Sequence, residues 1–484
     1  MGASRCNRLQ PQSPGTIRFS RRKKGNVLRN QRFTVFASTA AALLILSACS
    51  SGGGNANNAN NAATAPDNAA TAPEPTESAT NDDGASAPAT KEPVKLRIYA
   101  AYFDDDTKKP YDYAVAELKK EMPNVELVLD PSMQDDGQKL RTYAASGNMP
   151  DIFQADYKTM KAFAASKNIE LLDDAAPTAQ FKSDLNPGNE PVMITPDGHV
   201  YSYPFAGIEF QILYYNKKIF ADAGVEAPIK TYDQWKDAIQ KFKAKGIVPL
   251  AIFSKEKWIG NSFFKGLLTR EEPQGYAALT GKELPDAFEL AAKQFNDLKD
   301  AGLFDPNATN TNYDQASSMF YTGKAAMLVN GQWEIYSADK NLGADVDWMY
   351  WPAKDEATYE ASKFNMDGSG EPGGFSVSPT SKNKETAIEV AAFLARKYAE
   401  FKYTQLGNPI VSVKIDKPVV AKPPAMMQRL IDETLPNVKS FAKLNENVKI
   451  NTALDDNTQN LIVKGFSDAD FDKNMNRVLA SENK

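Results

Sequence analysis

The sequence predicts an α/β protein with two lobes, in which mixed β-sheets are flanked by helices and a hinge joins the lobes. Three observations predict this architecture. The chain has 484 residues, which is too long for a single small hydrophobic core. Residues 94–172 alternate between strand and helix patterns, which is typical of a parallel sheet. A second strand-and-helix series follows the stretch Ser202–Lys217, whose apolar half indicates a buried strand.

The first lobe is expected to begin with three strand–helix units. Alternating residues predict the strands, and apolar residues at helical spacing, followed by Pro123 or Gly147, predict the helices. The predicted strands are Val94–Ala101, Val125–Leu129 and Asp151–Gln154, and the predicted helices are Pro110–Glu121, Gln134–Ser146 and Met160–Lys167. Ligands of parallel sheets bind at the carboxyl ends of the strands, so loops 102–106 and 155–157 are candidate binding loops.

The second lobe is expected to begin with the buried strand of Ser202–Lys217, and Pro204–Gly207 is the predicted hinge. Thr231 is a typical N-cap for a helix over Thr231–Lys245, which Gly246 ends. Further strands are predicted at Val248–Phe253, 325–329, Asp347–Trp351 and Phe375–Ser378, and further helices at Phe263–Thr269, Pro285–Ala301, Tyr313–Tyr321 and Asn383–Tyr398. The remainder is predicted to be mostly helical.

Composition and charge exclude several classes of function. Residues 1–48 carry nine Lys/Arg and no Asp/Glu, so the rest of the chain, with 47 basic and 61 acidic side chains, has a net charge of −14. A chain this acidic, without a basic stripe, is a poor candidate for nucleic acid. The single histidine, His199, excludes a multi-His metal site, and Cys6 and Cys49 lie outside the predicted globular part. We expect no cofactor and no metal, since the acidic run Asp104–Asp106 is more often solvated than liganded.

The N-terminus has the pattern of a secretory signal followed by a lipid anchor. A basic segment, 18–32, precedes the apolar run Phe33–Leu46, which is too short and too rich in small residues for a transmembrane helix. The tetrapeptide Leu46–Cys49 (LSAC) resembles the bacterial lipobox, whose cysteine is lipidated before the signal is removed. Residues 1–48 are therefore the predicted signal peptide and Cys49 the lipidated residue. The alternative is an ordinary signal with a chance cysteine.

A tether is predicted between the anchor and the globular part. Residues 50–93 are rich in Asn, Ala, Thr, Pro, Gly and Ser and have almost no large apolar side chain, so they cannot bury enough surface to fold. A coil of this length spans about 35–40 Å. The segment 49–93 would hold the protein on the extracellular face of the cell membrane, most simply that of a Gram-positive cell.

Four segments resemble motifs of extracellular solute-binding protein family 1, the sugar-binding, maltose-binding-protein-like proteins of ABC transporters. They occur in order, at suitable spacing, within about residues 94–420. The segments are Ser146–Phe153 (SGNMPDIF), Tyr203–Trp235 (with YYNK and TYDQW), Phe320–Trp333 (with GKAAM and GQW) and Gly374–Leu394 (with GFSVS and AAFL). Each is loose alone, and four in sequence are specific. Residues 421–484 match weakly.

The resemblance implies a two-lobe, type II periplasmic-binding-protein-like fold with a ligand cleft that closes by hinge motion. It implies lobe 1 at 94–205 plus about 375–420 and lobe 2 at 206–374 plus about 421–484. It also implies a monomeric lipoprotein, not an enzyme, which captures a carbohydrate of oligosaccharide length and delivers it to ABC permease subunits in the membrane.

Sugar binding requires flat apolar faces for stacking, with carboxylates and amides for the hydroxyl groups. Trp333 corresponds to a residue that stacks on sugar in the family, and Glu209 to a position that faces ligand in maltose-type members. A core tryptophan and a structural hydrogen bond are the alternatives. Trp258, on a predicted strand-end loop, is a second platform or a surface cap. Asp156 either accepts sugar hydroxyls or caps a helix.

Six further positions are candidates because they lie at strand ends, turns or a crossover: Tyr102, Phe103, Asp104, Tyr203, Asn330 and Gly374. Two other functions stay open at this point. One is a carbohydrate-active enzyme with two carboxylates, for which no carboxylate pair stands out. The other is a sensor subunit that presents ligand to a membrane kinase and would share the same fold and site.

Overall fold

The computed structural model of the chain describes residues 92–133, 135 and 137–483. The predicted signal peptide, Cys49 and the tether up to residue 91 lie outside these residues. The strands are β1 (Val94–Ala100), β2 (Val125–Pro131), β3 (Ile152–Gln154), β4 (Gln211–Asn216), β5 (Val248–Ala251), β6 (Ala325–Gly331), β7 (Val346–Met349), β8 (Asn365–Met366), β9 (Phe375–Val377) and β10 (Ser440–Phe441). The helices are α1 (Asp105–Glu121), α2 (Gln138–Ser146), α3 (Tyr157–Ser166), α4 (Thr178–Asp184), α5 (Lys217–Ala223), α6 (Tyr232–Ala244), α7 (Lys257–Leu268), α8 (Asp286–Ala301), α9 (Tyr313–Tyr321), α10 (Ile335–Leu342), α11 (Glu356–Ser362), α12 (Lys384–Leu406), α13 (Ala425–Arg429), α14 (Val448–Ile462) and α15 (Asp468–Glu482).

The first sheet is mostly parallel, as the strand–helix alternation predicts. Its strand order is β2-β1-β3-β9. β1 runs parallel to β2, with Val94 opposite Val125, and parallel to β3, with Ile98 opposite Ile152. β9 comes from far along the chain and pairs antiparallel with β3. The carboxyl ends of β1 and β3 are therefore neighbours, which brings the loops after them to one edge of the sheet.

The second sheet is mixed and has the order β5-β6-β4-β7. β4 runs antiparallel to both neighbours, so that Leu213 lies opposite Val329 on one side and Met349 on the other. β5 runs parallel to β6. All seven residues of β6 are buried, because both faces of this central strand are covered, and its continuous AAMLVNG sequence fits that position.

Each sheet has its own hydrophobic core. One cluster surrounds the first sheet and includes Ile98 and residues of α12, while a smaller cluster with Phe153 and Met160 fills the other face. The largest cluster surrounds the second sheet and includes Trp235 together with residues of α14 and α15. In the described part of the chain, segments 204–210, 367–374 and 407–425 connect the two cores.

Three of the predicted helices begin earlier in the structure, and α3, which begins at Tyr157 rather than at Met160, differs least. α1 begins at Asp105 rather than at Pro110, because the Asp104 carboxylate accepts from the Thr107 backbone N–H at 2.9 Å and the two residues form a capping box. α7 begins at Lys257 rather than at Phe263. Gly260 lies within α7 and does not interrupt it. A side chain at this position would lie 3.2–3.5 Å from atoms of α14, so the glycine permits close packing of the two helices. None of the described helices has the length and hydropathy to cross a membrane.

Candidate functional site

Two neighbouring cavities lie between the ends of the two sheets. The first cavity has a volume of about 530 Å³ and the second about 390 Å³. Five residues line both and are called the shared wall: Asp156, Phe205, Glu209, Trp258 and Trp333. The shared wall joins the two cavities into one cleft, and four of its five residues are positions that the sequence nominates for ligand binding.

Trp333 follows the central strand of the second sheet directly. Its short helical turn, Gln332–Glu334, begins where β6 ends. A side chain at Gly331 would lie 2.1 Å from the Trp333 ring, so only glycine leaves space for the indole. The Trp333 Nε1–H donates to the Tyr313 hydroxyl at 3.2 Å, which fixes the ring with one face toward the cleft. The ring is partly exposed, not a core tryptophan.

Trp258 stands beside Trp333 in the shared wall. The two ring centroids are 6.2 Å apart and the rings are inclined at 49°. Trp258 lies in the first turn of α7, which corrects the predicted loop position. Its Nε1–H donates to Glu256 at 3.1 Å and its ring packs edge-on against Phe253. Two indoles held in this way offer adjacent, tilted apolar surfaces to a ligand.

A buried carboxylate supports Trp333 from behind. Glu334 accepts hydrogen bonds from the hydroxyl groups of Tyr313 and Tyr321 and from the Asn330 side-chain amide at 3.1 Å. Burial raises the pKa of Glu334 to about 7 despite these hydrogen bonds. Asn330, nominated for ligand contact, is fully buried and lines neither cavity. It positions the carboxylate beneath the tryptophan instead.

Glu209 lies on the segment that leads into β4, and it has a cationic partner. Its carboxylate accepts from the Lys402 ammonium group of α12 at 3.3 Å. Lys402 is buried and lies 5.4 Å from the centroid of the Phe205 ring. Glu209 therefore has a structural partner, as a carboxylate among apolar residues requires, and it still forms part of the shared wall, whereas Lys402 lines only the second cavity.

Two helices of the second core supply much of the polar lining of the first cavity. Lys265 of α7 is only 6% exposed, and its ammonium group donates to the Ser369 hydroxyl at 2.7 Å. Asp455 of α14 accepts from the Asn261 side-chain amide. Burial raises the pKa of Asp455 to about 6, although the nearby Lys158 acts in the opposite direction.

The second cavity is lined by the first turn of α1 and by residues that follow β1. Asp106 accepts from the Ser337 hydroxyl of α10 at 3.2 Å. Burial, reinforced by the neighbouring Asp104 carboxylate, raises the pKa of Asp106 to about 6. Asp105 points away from the cavity and forms an ion pair with Lys340 of α10 at 2.6 Å. The start of α1 therefore both lines the cavity and contacts the opposite lobe.

Seven of the ten nominated binding residues line the cleft: Trp333, Glu209, Trp258, Asp156, Phe103, Asp104 and Gly374. Asp156 also caps α3 by accepting from the Thr159 N–H at 2.7 Å, so the predicted helix cap is present in a residue that lines the cleft. Gly374 has φ of +110°, and a side chain there would lie 2.0 Å from the Tyr203 carbonyl oxygen. This close approach of two connecting segments requires glycine.

Two further nominated residues do not line the cleft. Tyr203 is fully buried in the first core, where its hydroxyl lies 2.8 Å from that of Thr178, and it lines neither cavity. Tyr102 packs against Tyr111, and its hydroxyl donates to Asp112 at 3.2 Å. Its side chain turns back along α1 because that helix begins earlier than predicted, and it also lies outside the lining of both cavities.

Several lining residues were not nominated from the sequence. Asn261 lies in the part of α7 that the sequence interpretation treats as a loop, and Lys265 lies in the predicted helix Phe263–Thr269. Asp455 lies on α14, in the stretch 421–484 where the family motifs are weak. Lys402 belongs to the last turns of α12, eight residues from Leu394, where the motif match ends. Only the alternation of charged and apolar residues on these helices could have indicated them.

The lining combines flat aromatic faces, carboxylates, amides and ammonium groups. Within residues 92–133, 135 and 137–483, no three His, Cys, Asp or Glu side chains are grouped closely enough to hold a metal ion. The arrangement suits a polar ligand with apolar faces, which could stack on the indoles and exchange hydrogen bonds with both lobes.

A family model described as bacterial extracellular solute-binding protein matches residues 104–399. An uncharacterized ABC transporter extracellular-binding protein of Pyrococcus horikoshii is 25% identical over 289 residues, which cover 55% of this chain and 63% of that protein. A multiple sugar-binding protein of Streptococcus mutans is 25% identical over 232 residues, or 46% of this chain and 53% of that protein. The matched stretch therefore spans between half and two thirds of these relatives.

Solved structures resemble the fold along nearly their full length. A chitin oligosaccharide binding protein superimposes with a TM-score of 0.62 at 25% identity, covering 81% of this chain and 99% of its own. A raffinose complex of the binding protein RafE gives a TM-score of 0.59 at 17% identity, covering 81% and 100% of the two chains. These likenesses confirm the predicted two-lobe, type II fold class.

Proposed function

Since the chain belongs to the bacterial extracellular solute-binding protein family, we propose that it captures a carbohydrate of oligosaccharide length in the cleft and delivers it to an ABC permease. The family match over residues 104–399 is the premise of this proposal. Relatives and neighbours described as multiple sugar-binding, maltotriose-binding and chitin oligosaccharide binding proteins support the carbohydrate class.

The single observation that carries the proposal is the pair of indoles in the shared wall. Trp258 and Trp333 are each held by a hydrogen bond to their Nε1–H, and each lines both cavities. Pyranose rings present apolar C–H faces and a rim of hydroxyl groups, so they suit an aromatic platform edged by Asp156 and Glu209. Two connected cavities of about 530 and 390 Å³ favour several sugar units over one.

The N-terminal segment supports an extracytoplasmic location for this activity. We propose that Cys49 is lipidated and that residues 49–93 tether the monomeric protein to the extracellular face of the membrane of a Gram-positive cell, next to its permease. We also propose binding without turnover. Each carboxylate of the shared wall has a structural task, since Asp156 caps α3 and Glu209 pairs with Lys402.

A thermal-shift screen of the purified chain against an oligosaccharide panel tests the proposal. A ligand that binds only the folded state raises the melting temperature, by an amount that grows with its concentration. We expect oligosaccharides of two or more units to give shifts, with calorimetric titration confirming saturable binding. A panel without any shift would contradict the carbohydrate class, and release of reducing sugar on incubation would contradict binding without turnover.

A further inference from the structure

The two cavities of the cleft differ sharply in charge. In the described part of the chain, the first cavity is lined by four carboxylates, Asp156, Glu209, Glu371 and Asp455, and four lysines, Lys158, Lys161, Lys257 and Lys265. The second cavity is lined by six carboxylates, Asp104, Asp106, Asp135, Asp156, Glu209 and Glu256, and by one lysine, Lys402. The cleft is therefore balanced at one end and strongly negative at the other.

The hydrogen bonds within the second cavity do not neutralise this charge. Lys402 pairs with Glu209 at 3.3 Å and offsets one carboxylate. Asp104 and Asp156 accept from backbone N–H groups as helix caps, and Asp106 accepts from a serine hydroxyl. A neutral donor stabilises a carboxylate without cancelling its charge, and a helix N-terminus offsets only about half a charge. The second cavity therefore keeps a negative potential that its low-dielectric walls concentrate.

The rest of the second cavity is aromatic. Seven aromatic side chains line it: Phe103, Phe205, Trp258, Tyr313, Trp333, Tyr336 and Tyr398. Aromatic faces attract cations through the ring quadrupole, and this attraction strengthens where water is excluded. Aromatic walls with an excess of carboxylates suit a protonated amine, because a hydroxyl group can donate to a carboxylate but only a cation also offsets the net charge.

Polar atoms in the same cavity also lack partners. The Tyr398 side chain is 3% exposed, and its buried hydroxyl has no hydrogen-bond partner. The Tyr336 hydroxyl and the Gln154 side-chain nitrogen are likewise buried without one. No atom with this property belongs to a residue that lines only the first cavity, among the residues described. Since unpaired buried polar atoms are costly, the second cavity is the end of the cleft that a polar ligand group would complete.

We propose that the second cavity selects a sugar unit that carries a protonated amine, so that the ligand is an oligosaccharide containing a hexosamine with a free ammonium group. This inference rests on the proposed function and specifies its substrate class. The remaining units extend over the shared wall into the first cavity, where carboxylates and lysines are equal in number and accept neutral sugar units.

Three tetrasaccharides with one skeleton test the inference directly. The tetramers of β-1,4-linked glucosamine, N-acetylglucosamine and glucose differ only in the substituent at C2: an ammonium, an acetamide or a hydroxyl group. We expect calorimetry at pH 6.5 and low salt to give at least tenfold tighter binding of the glucosamine tetramer than of the glucose tetramer. The ratio should shrink in 0.5 M salt, because salt screens the interaction of accessible charges.

Two matched variants locate the selectivity. Asp104→Asn removes a charge from the second cavity only and keeps the helix cap, because asparagine caps as well as aspartate. Asp455→Asn removes a charge from the first cavity only. We expect Asp104→Asn to reduce the preference for the glucosamine tetramer at least threefold, and Asp455→Asn to reduce it by no more than about twofold, because the units over the first cavity face as many lysines as carboxylates.

The outcomes separate this inference from the proposed function. If neutral oligosaccharides bind and the glucosamine tetramer shows no preference, the carbohydrate function stands and the ammonium selectivity is wrong. Equal effects of the two variants on the ratio would also overturn it. If spermidine binds as tightly as the glucosamine tetramer and neither neutral tetramer binds, both proposals are wrong, since the cleft would then recognise amines alone.

Discussion

The two cavities of the cleft share one wall but take the rest of their lining from different parts of the helices. The second cavity lies where helices begin: Asp104 caps α1, Asp156 caps α3, and Glu256 directly precedes α7. The first cavity takes Lys161, Lys265 and Asp455 from the sides of α3, α7 and α14, and Lys158 and Lys257 from the first turns of α3 and α7. The N-cap position favours acidic residues, whereas positions within a helix accept either sign.

The comparison shows how a local folding requirement can set the chemistry of a site. A carboxylate at a helix start satisfies backbone N–H groups whether or not a ligand is present. When three helix starts converge on one cavity, their carboxylates also produce a negative potential there. Charge at this end of the cleft is thus tied to the fold, while charge at the other end can change without loss of a helix cap.

The largest effect is expected from removing what the two cavities have in common. Trp333→Ala deletes the indole that lines both, so it should weaken oligosaccharide binding at least tenfold, about 1.4 kcal/mol, whatever the charge of the ligand. Calorimetric titration measures the affinity. The melting temperature of the free variant serves as a control, since Trp333 is only partly buried. Unchanged affinity would remove the indole from the site.

A smaller effect, on stability, is expected from one buried carboxylate of the second cavity. Burial and the Asp104 carboxylate raise the pKa of Asp106 to about 6. Because the pKa of Asp106 is higher in the folded chain than in the unfolded chain, the protonated carboxyl contributes stability. This contribution is complete below the pKa of the unfolded chain and is lost as the pH rises to about 6. Asp106→Asn keeps an acceptor for Ser337 and should unfold like the parent at pH 4. At pH 7.5 we expect it to be more stable by about 1 kcal/mol, a value reduced for partial solvent contact.

Urea unfolding at the two pH values measures this difference, and the neighbouring residue provides a control of opposite sign. Hydrogen bonds from Lys340 and Lys109 lower the pKa of Asp105, so its contribution is present at neutral pH and is lost as the pH falls through the lowered value. Asp105→Asn should therefore be less stable than the parent at pH 7.5. An Asp106→Asn variant that is no more stable than the parent at pH 7.5 would contradict the argument.

The sequence predicted the architecture of this protein better than the lining of its cleft. Period-two and helical patterns identify β1, β3, α6 and α9 closely, because each buries one clear apolar face. Strand ends then place Phe103, Asp104 and Asp156 at the cleft, since the carboxyl ends of neighbouring parallel strands meet. These predictions depend only on local pattern and on general sheet geometry.

What could not be predicted depends on contacts between distant segments. Whether Asn330 faces ligand or Glu334 is decided by the turn after β6, and the partner of Glu209 lies 193 residues away on α12. Gly260 lies before the predicted start of its helix at Phe263, and in the fold it lies within α7 and packs closely against α14. The charge contrast between the cavities could not be predicted either, because its described residues come from five helices or their N-caps and from three connecting segments.

The smallest expected effect tests the balanced end of the cleft. Lys161 lines the first cavity and makes no ion pair within the described part of the chain. Lys161→Gln should raise the affinity for the glucosamine tetramer relative to the glucose tetramer by no more than about twofold, since partly exposed charges interact by only a few tenths of a kcal/mol. The gain should vanish in 0.5 M salt. Lys293→Gln, a helix surface change outside both cavities, is the control. A gain of tenfold or more in Lys161→Gln would mean that the first cavity, and not the second, recognises the amine.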